Sequence, residues 1–237
     1  MATNEAEPKH TSSLVLAKRD KAKRTIAAEV IPIFLEKGYD NTTIKDIENA
    51  TGMKVGSIYN LFEDKYDILR ECFVVIYGSA FDLFREQFDS NADVVSALAF
   101  PLALELLAVS SNKKIAQIID EGHRSRNIML EIHRMKCEWI MSFSDFASIP
   151  IKKDDVRRNM LAVVGELGSF ASDYRYNPHK GYSKELKVLL KTFCALFDLP
   201  MENIDAVVEA TVNKLTLEYI PMIINRFLVS TENIKDE

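Results

Sequence analysis

From about residue 90 to the end of the chain, apolar residues recur every three or four positions, and neither Asn-Gly nor Asp-Gly occurs anywhere to close a two-residue hairpin. That spacing is the period of a helix face, so it leaves an all-α fold as the expectation. Helix-compatible composition supports it: only 8 Gly and 7 Pro interrupt 237 residues, and 47% of the chain is hydrophobic, enough for a sizeable core. The pattern predicts helices near 93–110, 113–121, 124–147, 153–175, 183–197 and 202–229. Internal repeats and low-complexity segments are absent.

The N-terminal part is punctuated more finely. Residues 1–12 are polar and aperiodic and read as a flexible lead-in. Ile26, Ala27, Val30, Phe34 and Leu35 then mark one helix face, with Gly38 placed to stop it. Asn41-Thr42-Thr43 offers hydroxyl caps to a short helix whose Ile44, Ile47 and Ala50, three apart, are expected to share a buried face. Gly52 ends that helix, Val55 to Phe62 supplies another, and Asp64 can cap a long one through Tyr66, Leu69, Phe73, Ile76 and Phe84.

Two short helices joined by Thr51-Gly52-Met53 form the helix-turn-helix arrangement, which lays its second helix in the DNA major groove. Ile44, Ile47, Met53 and Ile58 are then the packing positions. The groups left for DNA are Lys54, Val55, Gly56, Ser57, Tyr59 and Asn60. Lys54, Lys65 and the Tyr59 hydroxyl can bind phosphates, Gly56 lets the backbone approach, and Ser57 and Asn60 can reach base edges. The competing reading is a glycine-turned helix pair of no special function, with Tyr59 as core filler; Phe62 and Lys65 following Tyr59 at regular spacing weigh against it.

Gly38-Tyr39, Thr42-Thr43-Ile44, Ile47, Ala50, Gly52-Met53, Gly56-Ser57-Ile58-Tyr59-Asn60-Leu61-Phe62 and Lys65 together resemble the tetracycline-repressor (TetR) family over roughly residues 17–70. The resemblance implies a homodimer of all-helical subunits. Each would hold an N-terminal three-helix DNA-binding domain, residues 13–65, and a larger helical domain for ligand binding and dimerisation, residues 66–237. It further implies a repressor bound to a palindromic operator in double-stranded DNA and released by a small-molecule effector, with Thr43, Tyr59 and Lys65 on phosphates and Ser57 and Asn60 facing the groove. The alternative is a DNA-binding regulator that is constitutive or controlled by a protein partner. The sequence departs from the family pattern at Lys54, where a small capping residue is usual, and at Glu48, where alanine is usual.

Charge and motifs narrow the remaining classes. The net charge is -5, yet residues 1–65 hold as many Lys and Arg as Asp and Glu, so the acidic excess lies in the rest. Lys18, Arg19, Lys21, Lys23 and Arg24 could track a phosphate backbone or simply solvate a helix face. Cys72, Cys137 and Cys194 are far apart and suggest neither a metal site nor a disulfide, which fits a reducing cytoplasm. The early apolar run Leu14 to Ala17 is too short for a signal peptide, and no later stretch is expected to approach the length of a membrane span. The phosphate-binding, metalloprotease and serine-hydrolase signatures are all missing, so no catalytic residues, metal or cofactor are expected.

For an effector, Phe100, Leu104, Glu105, His133 and Trp139 are the candidates, polar or aromatic groups within apolar helical stretches. Pro101 should remove a helical bond, free a carbonyl and open space nearby. Trp139 shares a face with Ile128, Ile132 and Met135, which favours core, and His133 beside Glu131 and Arg134 reads as exposed. The small-residue stretch Ala162, Gly165, Gly168, Ser169 and Ala171 and the apolar last helix are the candidate dimer seams, within 153–175 and 202–229.

Overall fold

The computed structural model describes residues 9–87, 93–143, 152–223 and 225, and among them there is no strand. The helices are α1 (Lys9–Lys37), α2 (Ile44–Thr51), α3 (Val55–Leu61), α4 (Lys65–Gln87), α5 (Val94–Ser111), α6 (Lys113–Arg124), α7 (Arg126–Met141), α8 (Lys153–Tyr176), α9 (Ser183–Leu196) and α10 (Ile204–Lys214). One buried apolar cluster runs from Ile26 in α1 to Ile223 beyond α10, so the N-terminal helices and the later bundle share a core. Helix α4 joins them, packing on α1 and on α7.

Helix α1 starts earlier than the sequence suggested, so residues 9–12 are helical. Pro32 lies inside it with its own ring exposed, and it has no amide to donate to the Ala28 carbonyl four residues back. Gly38 ends the helix as expected: its amide donates to the Phe34 carbonyl at 2.9 Å, and its φ of 83° is the left-handed conformation that glycine adopts without a Cβ clash.

Helix α5 is buried along most of its length, and Pro101 sits in its middle. Proline cannot donate to the carbonyl four residues back, which is that of Ala97. The indole Nε1 of Trp139 on α7 donates to this carbonyl instead, at 3.2 Å. The freed acceptor is therefore what docks Trp139, whose ring stacks on Phe81 at 4.6 Å and meets Phe84 and Phe143 edge-on. This helix also corrects an expectation: Val94–Ser111 is long and apolar enough to cross a membrane, but it lies in the interior of the bundle.

Two further expectations change. The last helix is not continuous over 202–229: α10 stops at Lys214, Leu215 caps it in extended conformation, and helical structure resumes at Tyr219, while residues 226–229 lie outside the described residues. Helix α7 ends at Met141, and 144–147 are likewise outside. In α8, Gly168 and Ala171 are used within the subunit. A Cβ on Gly168 would stand 2.8 Å from His123 Nδ1 on α6, and Ala171 is fully buried.

Candidate nucleic-acid interface and effector cavity

Helix α2 is held by a reciprocal cap. The Thr43 hydroxyl accepts from the Asp46 amide at 3.2 Å, and the Thr43 amide donates to the Asp46 carboxylate at 2.9 Å. The Lys37 ammonium also donates to Asp46 at 2.6 Å, and these bonds hold the carboxyl well below the usual range. The Thr43 hydroxyl hydrogen goes to Asp46 as well, at 2.8 Å, so in the free protein Thr43 keeps no donor for a phosphate. The expected burial of Ala50 is corrected: Ile47 is fully buried and Ile44 half-buried, but Ala50 is exposed. Each step of three residues turns about 60° short of a full circle, so the third position of such a series leaves the buried stripe.

Gly52 closes α2 in the left-handed conformation, with φ 66°, and turns the chain into α3. On α3 only Ile58 is fully buried; Val55 is half-buried, while Gly56, Ser57, Tyr59 and Asn60 are exposed. The buried residue fixes the rotation of a seven-residue helix, and that rotation turns the four polar or small groups outward together. A Cβ at Gly56 would meet nothing within 4 Å, so nothing in the free protein requires glycine there. Lys54 caps α3 by position without a side-chain bond. Its ammonium lies 3.8 Å from Glu48, so the two departures from the family pattern face one another.

Lys65 is placed differently from a free phosphate ligand. Its ammonium donates to the carbonyls of Tyr39 at 2.8 Å and Thr42 at 3.0 Å and stands over the Tyr39 ring, tying the start of α4 to the loop before α2. Burial lowers its pKa, opposed by Asp40 and Glu121. In the basic run, Lys23 pairs with Asp67 at 3.3 Å over the Phe62 ring, Arg24 with Glu71 at 3.9 Å, and Arg19 donates to the Asn60 carbonyl at 3.4 Å. Sequence reasoning missed these partners because the acids come from α4, more than forty residues away.

The five effector candidates do not come together. Leu104 and Glu105 line an apolar cavity between α1, α4, α5 and α6, as does Pro101. Phe100 is buried against Phe84 and Tyr219, and Trp139 belongs to the aromatic core described above. His133 is buried rather than exposed. Its Nε2–H donates to the Arg157 carbonyl at 2.8 Å, which clips α7 to α8, and burial lowers its pKa.

Glu105 itself is the centre of a buried polar quartet. It accepts from the Tyr77 hydroxyl, from His123 Nε2 at 2.5 Å and from the Lys136 ammonium at 2.9 Å, with Lys136 fully buried. Burial by itself would raise the Glu105 pKa; the adjacent Lys136, then His123 and Tyr77, overcome that and hold it well below the carboxylate range. Three of its partners come from α4, α6 and α7, a constellation that spacing along the chain could not reveal.

A glycine-turned helix pair with a buried rear face and four outward polar or small groups on its second helix defines a DNA-reading helix-turn-helix. Residues 32–72 match the family of bacterial regulatory proteins described as the tetR family. The chain is also similar to the biofilm operon icaADBC HTH-type negative transcriptional regulator IcaR of Staphylococcus epidermidis (strain ATCC 35984 / DSM 28319 / BCRC 17069 / CCUG 31568 / BM 3577 / RP62A). The two are 31% identical over 72 residues, which is 30% of this chain and 39% of that relative, so the match spans about two fifths of the relative's length. Over residues 32–72 the chain is thus similar to the tetR family of bacterial regulatory proteins.

Proposed function

We propose that the protein is a cytoplasmic, homodimeric repressor that binds a palindromic operator through residues 13–65 and is released by a small molecule bound within residues 66–237. The observation that carries the DNA reading is the outward set Gly56, Ser57, Tyr59 and Asn60 on a helix whose rotation is fixed by buried Ile58. Ser57 and Asn60 read base edges, and Tyr59 with Lys54 contacts phosphates. Thr43 and Lys65 act mainly by holding α2 and α4 in place, since their polar hydrogens are largely committed within the protein. The negative regulation named for the staphylococcal relative supports repression.

For the subunit contact we assign the exposed remainder of the small-residue stretch, Ala162, Gly165 and Ser169 on α8, together with exposed Val188 and Leu196 on α9. Two-fold pairing would set the reading helices about 34–36 Å apart, one turn of DNA, on the operator. Selection of bound duplexes from a random pool tests the reading and should return a palindrome with two half-sites. Asn60→Ala should change the preferred base within each half-site, and Gly165→Arg, placed where a Cβ meets nothing, should yield monomers that bind the operator weakly. Recovery of non-palindromic sites, or a monomeric wild-type protein with full operator affinity, would overturn it.

A further inference from the structure

The cavity between α1, α4, α5 and α6 has a volume of about 110 Å³ and walls that include Phe34, Leu69, Phe73, Leu104, Ile118 and Ile223. Apart from Cys72, whose thiol donates to the Ala27 carbonyl at 3.4 Å, its polar lining residues are Tyr77 and Glu105. Both are already satisfied. The Tyr77 hydroxyl is spent on Glu105, and the Glu105 charge is met by Lys136 and bonded by His123. An anion entering here would meet an existing carboxylate, and a cation would have to displace Lys136 from it. An ionic ligand would therefore lose its hydration with no free counter-charge to replace it.

We propose that this cavity receives one compact, uncharged, apolar molecule about the size of a single benzene ring. The size follows from volume: an apolar protein cavity of roughly 150 Å³ stays dry and accepts benzene, and this one, at about 110 Å³, is of the same order and somewhat smaller. The assignment rests on the effector-controlled reading above and names the ligand chemistry for it. The site is connected to the reading head by its own walls. Ile31, Phe34 and Leu35 of α1 line it, and α1 leads through Gly38 into the cap of α2. Ile115, Ile118 and Ile119 of α6 line it too, and the same helix donates from Lys114 to the Glu36 carbonyl and from Gln117 to Asp40 at 2.5 Å. A molecule that spreads α1 from α6 thus displaces the loop that positions α2 and α3.

The test uses the full chain with toluene, benzoate and benzylammonium, three probes of one ring that differ in charge. Toluene should raise the thermal midpoint by at least about 3 °C near saturation and lower operator affinity about tenfold or more, while neither ion does so. Ala108→Phe, which fills the cavity from α5, should abolish the toluene shift of the thermal midpoint. A xenon-pressurised crystal of the wild type should show xenon between Leu104 and Ile118, and this holds the question open to refutation if the variant fails to fold. No toluene response, equal responses to benzoate or benzylammonium, or no xenon in the cavity would overturn the ligand class. Toluene bound in the cavity with operator affinity unchanged would leave the site standing and overturn the effector-release reading instead.

Discussion

Lys136→Met removes a full positive charge that meets Glu105 in the interior. The ammonium is fully buried 2.9 Å from the carboxylate and stands 4.9 Å from the centre of the Tyr77 ring. Methionine fills most of the same volume, so the change is electrostatic rather than a cavity. Breaking a buried pair from one side costs ~3–5 kcal/mol, because the remaining charge keeps its desolvation without its partner. For a chain of this size each kcal/mol moves the midpoint by ~2–4 °C, which gives an expected loss of ~6–20 °C at neutral pH. Glu105→Gln added to Lys136→Met removes the orphaned charge, and the amide can still bond Tyr77 and His123, so the double variant should be the more stable of the two. The pH dependence follows from the same pair. The Glu105 pKa is depressed in the folded protein, so its contribution is complete above the unfolded value of ~4.3 and is lost as pH falls through the lower folded value. Without Lys136 burial dominates and the folded pKa rises above the unfolded value, so the sign of this contribution reverses: the single variant should recover part of its loss relative to the wild type as pH falls and the Glu105 carboxylate takes up a proton. Thermal unfolding followed by circular dichroism between about pH 3 and 8 measures all three quantities. A single variant within about 3 °C of wild type, or a double variant no more stable than the single, would refute the reasoning.

Other expectations are read from single contacts. Gly56→Ala should raise helix stability by roughly 0.5–1 kcal/mol, since the methyl meets nothing in the protein, yet abolish tight operator binding; retained affinity in a binding titration would show that the α3 backbone does not approach DNA. Tyr59→Ala should weaken binding to all sequences without changing the thermal midpoint, whereas Lys65→Ala should lower both, because it also releases the Tyr39 and Thr42 carbonyls. Trp139→Phe keeps the aromatic packing but leaves the Ala97 carbonyl unpaired at a cost of about 1–3 kcal/mol, and Pro101→Ala in the same chain should recover much of it by restoring a backbone donor. Equal stability of the single and double variants in urea unfolding would disprove that substitution of indole for amide.

What could be read in the sequence was whatever depends on neighbours a few residues apart. Gly38 and Gly52 stop their helices with positive φ, and Thr43 caps α2. The rotation of α3 follows from Ile58 and Phe62. Pro101 announced a freed carbonyl, but not that an indole from α7 would take it. Long-range partners stayed hidden for the same reason. His133 looked exposed beside Glu131 and Arg134, but α8 supplies the Arg157 carbonyl that makes its burial affordable in hydrogen bonds. Glu105 could be singled out as a charge in an apolar helix, whereas Tyr77, His123 and Lys136 meet it only once four helices have packed.

The same distinction bears on how the reading head attracts DNA. By count, its first 65 residues are neutral, and much of the positive charge there is engaged: Lys23 with Asp67, Arg24 with Glu71, Lys37 with Asp46, Lys54 with Glu48, and Lys65 with two carbonyls. A surface of this kind offers little of the diffuse counterion release that drives non-specific affinity. In the dimer proposed above, recognition would then depend on the placed groups of α3 and on two subunits reaching both half-sites together. Control of the proposed kind would be correspondingly economical. If affinity depends on spacing more than on charge, a shift of α1 against α6 need not cover or neutralise any DNA contact; moving one reading helix out of register with its partner is enough.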